Sequence, residues 1–152
     1  MKLDATDKKL INLLQEDSKR TNKQLAALLN LSVTAVYERI KKLEKEGVIK
    51  DYVALVDKNK IEKPFLVICH VRLSQHSKEY VTYFEKEVKK LEEVVECFHV
   101  SGDYDYILKI YVKDMQSYRD FMITKLTALK HIGSTHSIFT IGEVKNSTAL
   151  PV

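Results

Sequence analysis

Residues 21–47 read TNKQLAALLNLSVTAVYERIKKLEKEG. Thr21 and Gln24 have the spacing of a capping box, in which a threonine begins a helix and a glutamine three residues later completes the cap. Ser32 is placed to begin a second helix. The apolar residues of that helix recur at helical steps, at Val33, Val36, Ile40 and Leu43. Gly47 suits the left-handed conformation that ends a helix. The stretch therefore predicts two helices joined by a short turn.

A further helix is predicted before this stretch, begun by Asp4 or Thr6. Three helices followed by an extended segment at residues 48–56 predict a winged helix-turn-helix, whose second motif helix enters the major groove of DNA. Ser18–Lys50 holds eight Lys or Arg against three Asp or Glu, a net charge of +5. This excess favours a polyanionic partner. The spacing alone leaves open a plain three-helix bundle with a charged, solvated face.

The outer face of the predicted recognition helix begins with small polar residues and becomes basic further along. Small side chains let a helix approach base edges, whereas lysine and arginine reach phosphates. Two more polar residues lie at the start of the preceding helix, where free backbone N–H groups favour a phosphate. The residues predicted to contact double-stranded DNA are Asn22, Lys23, Ser32, Thr34, Ala35, Glu38, Arg39, Lys41 and Lys42.

The second half of the chain predicts a different fold. The polar segment 57–64, DKNKIEKP, separates a first domain at residues 1–57 from a second at residues 64–152. Periodicity then predicts a strand at 65–73, a helix at 77–91, strands at 94–100 and 104–112, a helix at 117–129 and a strand at 132–144. This βαββαβ order is ferredoxin-like. The predicted fold class is α+β, with a winged helix-turn-helix followed by that domain.

One turn in the second domain is unusually acidic. Residues 100–112 read VSGDYDYILKIYV, and the turn holds Gly102, Asp103 and Asp105. A tight hairpin needs a glycine, but it does not need two carboxylates between tyrosines. The turn is therefore either a solvated hairpin or a binding site.

Both halves resemble the Lrp/AsnC, or feast/famine, family of transcription regulators. Residues 31–49 carry the pattern Leu-Ser-x-x-x-Val-x-x-Arg-Ile-x-x-Leu-Glu-x-x-Gly-Val-Ile, and residues 92–121, EEVVECFHVSGDYDYILKIYVKDMQSYRDF, resemble the ligand-binding domain. The resemblance implies a DNA-binding regulator that self-associates as a dimer, through paired sheets, and further, often to an octamer. It also implies a free amino acid as effector, bound between dimers.

The resemblance places the effector at the acidic turn. Asp105 or Asp103 would accept the ammonium group, and backbone N–H groups near Gly102 would bind the carboxylate. The segment before the last strand would form the other wall. The residues predicted for this site are Ser101, Gly102, Asp103, Tyr104, Asp105, Ser134, Thr135 and His136.

Other function classes find little support in the sequence. It contains no nucleophile–base pair, phosphate loop or metal-ligand spacing, so neither an enzyme, a cofactor nor a metal site is expected. Cys69 and Cys97 each lie in an apolar run and are expected to be reduced, half-buried core residues. No apolar run has membrane-spanning length and no secretory segment begins the chain, so a cytoplasmic protein is expected. An architectural DNA-binding oligomer without an effector is the alternative function.

Overall fold

The computed structural model describes residues 2–152, so the first residue of the predicted domain 1–57 lies outside the described part. The chain divides into two compact units. The first extends to Leu55 and also includes Lys145–Val152, and the second comprises Val56–Val144. Each unit has its own apolar core.

The first unit contains the three predicted helices: α1 at Ala5–Glu16, α2 at Asn22–Leu29 and α3 at Val33–Lys45. Their N-caps are Asp4, Thr21 and Ser32. The predicted capping box is formed, since the Thr21 N–H donates to Gln24 Oε1 at 2.8 Å and the Gln24 N–H donates to Thr21 Oγ1 at 3.2 Å. Gly47 follows α3 with φ +71°, a left-handed conformation.

A small core fixes the orientation of α3 within the first unit. Leu10 of α1, Leu25 of α2, and Val36 and Leu43 of α3 are all completely buried. Each such side chain contributes roughly 1.5–3 kcal/mol through burial. Asn30 ends α2 in the left-handed conformation, with φ 54°, and turns the chain toward α3. No residue between 48 and 56 belongs to a strand, so the segment predicted as a wing lacks a β ladder.

The second unit has the predicted βαββαβ order. Its elements are β1 at Phe65–Leu73, α4 at Lys78–Val88, β2 at Val94–His99, β3 at Tyr106–Val112, α5 at Met115–Phe121 with a π-helical turn at Met122–Leu126, and β4 at Ile132–Phe139. The four strands form one antiparallel sheet in the order β2-β3-β1-β4. β1 therefore lies between β3 and β4, and side chains at its ends are flanked by both strands.

Several predicted elements begin or end a few residues from their predicted bounds, and two differ most. The last strand was predicted to reach residue 144 but ends at Phe139, because Thr140 donates both its N–H and its Oγ1 to Leu66 O near the start of β1. Beyond this point Ile141 is fully exposed. The helix predicted at 117–129 begins earlier, because Asp114 Oδ1 accepts the Ser117 N–H and caps it, and it changes to the π-helical turn after Phe121.

The two faces of the sheet are different. The covered face packs against α4 and α5 and contains Val67, Cys69, Val71, Tyr106, Leu108 and Ile110 together with Phe84, Val88, Tyr118 and Phe121. The opposite face, here called the open face, carries Ile68, His70, Phe98, Ile107, Tyr111 and Ile138 by strand alternation. The expectation for Cys97 was wrong. It is exposed, because β2 is an edge strand, whereas Cys69 is buried.

None of the helices in residues 2–152 is long and apolar enough to cross a membrane.

Candidate DNA and effector sites

The outer face of α3 carries most of the predicted DNA-contacting side chains. The exposed residues on it are Thr34, Tyr37, Glu38, Lys41, Lys42 and Lys45. Ser32 uses its hydroxyl to cap the helix, accepting the Ala35 N–H at 3.1 Å, and Ala35 itself is half-buried. Tyr37 was not predicted, although it is 46% exposed. Its position one helical turn from Thr34 and Lys41 places an aromatic ring in the middle of this face.

Arg39, which the sequence predicts as a DNA contact, forms two ion pairs within the first unit. Its Nη1 donates to Asp7 Oδ1 at 2.6 Å and to Asp4 Oδ2 at 2.8 Å. Asp7 is buried, with 4% of the residue exposed. Hydrogen bonds to Asp4 and then Asp7 raise the pKa of the guanidinium above its usual value. Both carboxylates lie at the start of α1, so these ion pairs connect α3 to α1. The positive charge of Arg39 is therefore balanced within the first unit.

The start of α2 is accessible to solvent, but one of its backbone N–H groups already forms a hydrogen bond. Asn22 is half-buried and Lys23 is exposed. Thr21 Oγ1 already accepts the N–H of Gln24, which leaves the N–H groups of the first two helical residues available for a phosphate.

The acidic turn connects β2 to β3. The Val100 N–H donates to Asp105 O at 2.9 Å, and the Asp105 N–H donates to Val71 O at 2.9 Å. Gly102 has φ +121°, a conformation that residues with a side chain rarely adopt. The turn therefore requires its glycine and is held to the end of β1.

The Asp105 carboxylate is engaged within the protein. Its Oδ2 accepts the Leu73 N–H at 2.7 Å, and its Oδ1 lies 3.0 Å from His76 Nδ1. Burial opposes ionisation, but the hydrogen bonds from Leu73 and His76 outweigh it and lower the pKa of the carboxyl. The side chain is 18% exposed. Asp105 therefore fastens the turn to the end of β1, which weakens its predicted role as the ammonium acceptor.

An open cavity of about 670 Å³ lies beside the turn. Its lining comprises His70, His99, Val100, Ser101, Asp103, Tyr104 and Ile107, so three of the predicted effector residues border it. The Asp103 carboxylate is exposed and takes part in no ion pair within residues 2–152. His70 Nδ1 is buried and lacks a hydrogen-bond partner in the described chain.

The predicted second wall is only partly brought to the cavity. The His136 ring lies parallel to Tyr104 at 6.2 Å and 5.9 Å from the His70 ring. Ser134 is the strand partner of Arg72. Thr135 pairs with the buried Val71 and is directed to the covered face, so it does not join this group.

Four residues around the turn were missed by the sequence analysis: His70, Arg72, His76 and His99. They come from β1, from the segment after it and from the end of β2. Only the strand order shows that these segments meet at the turn. In residues 2–152 no group of three His, Cys, Asp or Glu side chains is placed to hold a metal ion.

Both units match known families. Residues 3–50 match a model of the winged helix-turn-helix DNA-binding domain, and residues 66–150 match a model of the Lrp/AsnC ligand binding domain. The leucine-responsive regulatory protein of Haemophilus influenzae is 39% identical over 97% of this chain and 89% of its own length. That of Escherichia coli is 35% identical over 99% of this chain and 92% of its own length.

Solved structures show the same similarity. A transcriptional regulator from Neisseria meningitidis, solved as a complex with L-Met, has a TM-score of 0.94 and 30% identity, covering 99% of this chain and 97% of that one. An AsnC family transcriptional regulator from Agrobacterium tumefaciens has a TM-score of 0.94 and 36% identity, covering 98% of this chain and 97% of that one.

Proposed function

The chain belongs to the Lrp/AsnC family of DNA-binding transcription regulators, and we propose that a free amino acid bound at residues 100–105, the effector turn, modulates its DNA binding. The family consists of regulators rather than enzymes. The DNA-binding regulators of this family act in the cytoplasm, and we propose the same location for this protein.

The observation that supports the effector turn as a site is the unpaired Asp103 carboxylate at the cavity. An amino acid presents an ammonium group that needs an anionic acceptor. Asp105 already accepts two hydrogen bonds within the chain, whereas Asp103 is exposed and borders the cavity with Ser101 and Tyr104. We therefore assign the ammonium to Asp103 and a positioning role to Asp105. The Neisseria relative, crystallised with L-Met, supports an amino acid as the class of effector.

Calorimetric titration with the twenty L-amino acids tests this site. Asp103→Asn keeps the size of the side chain but removes its charge, so we expect the tightest amino acid to bind about 10-fold more weakly. Glu92→Gln is the matched control, because Glu92 is an exposed carboxylate just before the start of β2, at the opposite end of that strand from the turn. Equal affinity in Asp103→Asn and the parent would remove Asp103 from the site.

For DNA recognition we propose that the start of α3 faces the bases and its later lysines face the phosphates. Thr34, Glu38 and the unpredicted Tyr37 occupy the exposed first half, and the exposed lysines that follow are Lys41, Lys42 and Lys45. Lys23 at the start of α2 adds a further phosphate contact. Arg39 is omitted from this set because it pairs with Asp4 and Asp7.

We also propose that a second copy of the chain packs against the open face of the sheet outside the part that lines the cavity. Phe98 on β2 is 52% exposed and Ile138 on β4 is 41% exposed on this face, and exposed apolar side chains on one face are typical of an interface. The dimer would present two recognition helices roughly 34 Å apart, or at a multiple of that distance, and would protect near-palindromic sites. Further assembly of dimers, to an octamer, follows the resemblance.

Light scattering tests the dimer. We expect Phe98→Glu to lower the mass to that of the monomer, because it buries an unpaired charge in the interface. Met115→Glu is the matched control, since Met115 is 51% exposed but lies on α5, which packs on the covered face. A monomeric parent at micromolar concentration would refute the proposal.

A further inference from the structure

Arg72 stands at the end of β1, between the effector turn and β4. Its strand partner in β4 is Ser134, and its Nε donates to the Asp103 backbone oxygen at 2.6 Å. Its Cζ lies 5.7 Å from the centre of the Tyr104 ring. The guanidinium is therefore positioned by the turn itself, next to the ring and the aspartate that border the cavity.

The remaining donors of Arg72 are free. A guanidinium has five N–H donors, and only the one on Nε is used here. Within residues 2–152 no carboxylate lies within ion-pair distance of Arg72, whereas Arg20 pairs with Glu16 and Arg39 with Asp4 and Asp7. The residue is exposed, so its two terminal nitrogens can reach a ligand.

We infer that Arg72 binds the carboxylate of the effector, an inference that rests on the proposed function of the effector turn. A guanidinium held at Nε presents its terminal nitrogens in the plane that suits bidentate binding of a carboxylate. Asp103 supplies a negative charge for the ammonium on the same turn. The two opposite charges of an amino acid then meet the charges of Arg72 and Asp103, which are held together by the hydrogen bond from Arg72 Nε to the Asp103 backbone oxygen. This pairing selects a zwitterion over a simple amine or acid.

The resemblance assigned the carboxylate to backbone N–H groups near Gly102, and Arg72 adds a residue that the motif does not contain. A backbone N–H group already prefers a carboxylate to an uncharged amide oxygen, because an ionised acceptor makes the bond charge-assisted. An arginine enlarges this preference, because its full positive charge and bidentate fork pair with the carboxylate charge. The loss of discrimination between an amino acid and its primary amide when Arg72 is replaced therefore measures the contribution of Arg72.

The experiment compares each of the twenty L-amino acids with its primary amide by calorimetry. The amide keeps the side chain and the ammonium group but has no carboxylate charge. We expect the parent to bind the tightest amino acid about 10-fold or more tightly than its amide. In Arg72→Gln this ratio should fall well below the parental value, and in Arg72→Lys, which keeps the charge but loses the planar fork, it should be intermediate.

Arg119→Gln is the matched control. Arg119 is an exposed arginine on α5, and its loss changes the net charge by the same amount, so the ratio should stay at the parental value. If Arg72 only braced the turn, Arg72→Gln would weaken the amino acid and the amide equally, and an unchanged ratio would overturn the inference. If the parent binds none of the twenty amino acids, the proposed function fails and takes this inference with it.

Discussion

Removal of the Arg39 guanidinium is the sharpest test of whether Arg39 stabilises the first unit or contacts DNA. Arg39→Ala leaves the Asp7 carboxylate buried, and the hydrogen bond that it accepts from the Asp4 backbone N–H, at 3.2 Å, remains. If Arg39 instead contacted a phosphate, its loss would weaken DNA binding without affecting folding. The two interpretations therefore predict different results. Arg39→Ala lowers stability if Arg39 pairs with Asp4 and Asp7, and it lowers DNA affinity if Arg39 contacts a phosphate.

The magnitude follows from the two ion pairs. The Asp4 side chain is 53% exposed, so solvent screens its pair with Arg39 and the pair contributes little to stability. The Asp7 side chain is 6% exposed, and its charge-assisted bond contributes about 1.5–3 kcal/mol. We expect a loss of about 2–3 kcal/mol, below the roughly 3–5 kcal/mol of fully buried pairs, because the Arg39 side chain is 32% exposed.

Hydrogen exchange read by mass spectrometry measures this loss locally, which suits a chain with two units. In Arg39→Ala the amides of α1 and α3 should lose about 2–3 kcal/mol of protection. Lys42→Ala removes the same charge from the same helix and should change protection by less than about 0.5 kcal/mol. The DNA salt dependence of Arg39→Ala, measured where the variant is folded, should match the parent. Parental protection together with a reduced salt slope would place Arg39 on the DNA and refute this reasoning.

Three further predictions concern DNA contacts and the turn. Replacing Lys41 and Lys42 by alanine should lower the slope of log affinity against log salt by about one unit per lost phosphate contact, measured by fluorescence anisotropy; an unchanged slope would mean that these lysines face away from DNA. Asp105→Asn should cost about 1–3 kcal/mol in urea unfolding at pH 7. Because folding lowers the pKa of this carboxyl below 3.8, the cost should persist above that pH and shrink as pH falls further, and a constant cost down to about pH 2 would contradict the assigned contacts. Gly102→Ala should cost about 1–2 kcal/mol through its φ of +121° alone, since a Cβ there meets nothing within 4 Å, whereas Gly142→Ala, equally unobstructed, should unfold like the parent.

Local chemistry made the helices of the first unit predictable. Thr21, Ser32 and Gly47 act on neighbouring backbone atoms, so their spacing along the chain is sufficient. The role of Arg39 was not predictable in this way. Its position on α3 is compatible with an outward side chain, and its partner Asp7 lies 32 residues earlier. The sequence shows only an aspartate, Asp7, near the start of α1. That this aspartate is buried and needs a partner depends on how the helices pack.

The effector turn shows the same limit. Gly102 and the acidic residues mark the turn in the sequence, and the resemblance gives it a function. The partners of Asp105, however, lie about 30 residues earlier, and Arg72 reaches Asp103 across 31 residues. The length of β4 was also mispredicted, because alternation continues in the sequence after β1 no longer offers a partner. Contacts that depend on the order of strands in the sheet are therefore found only from the structure and not from the sequence.

The most direct test of the central claim is the DNA-binding isotherm of the parent protein with and without each of the twenty L-amino acids. Fluorescence anisotropy on a duplex selected in vitro by the protein measures it at fixed salt, with Asp103→Asn as the site control. We predict that at least one amino acid shifts the midpoint or the steepness of the parental isotherm, and that the shift is lost in Asp103→Asn at the same amino-acid concentration. An isotherm that no amino acid changes would contradict the account and identify an effector-independent, architectural DNA-binding protein.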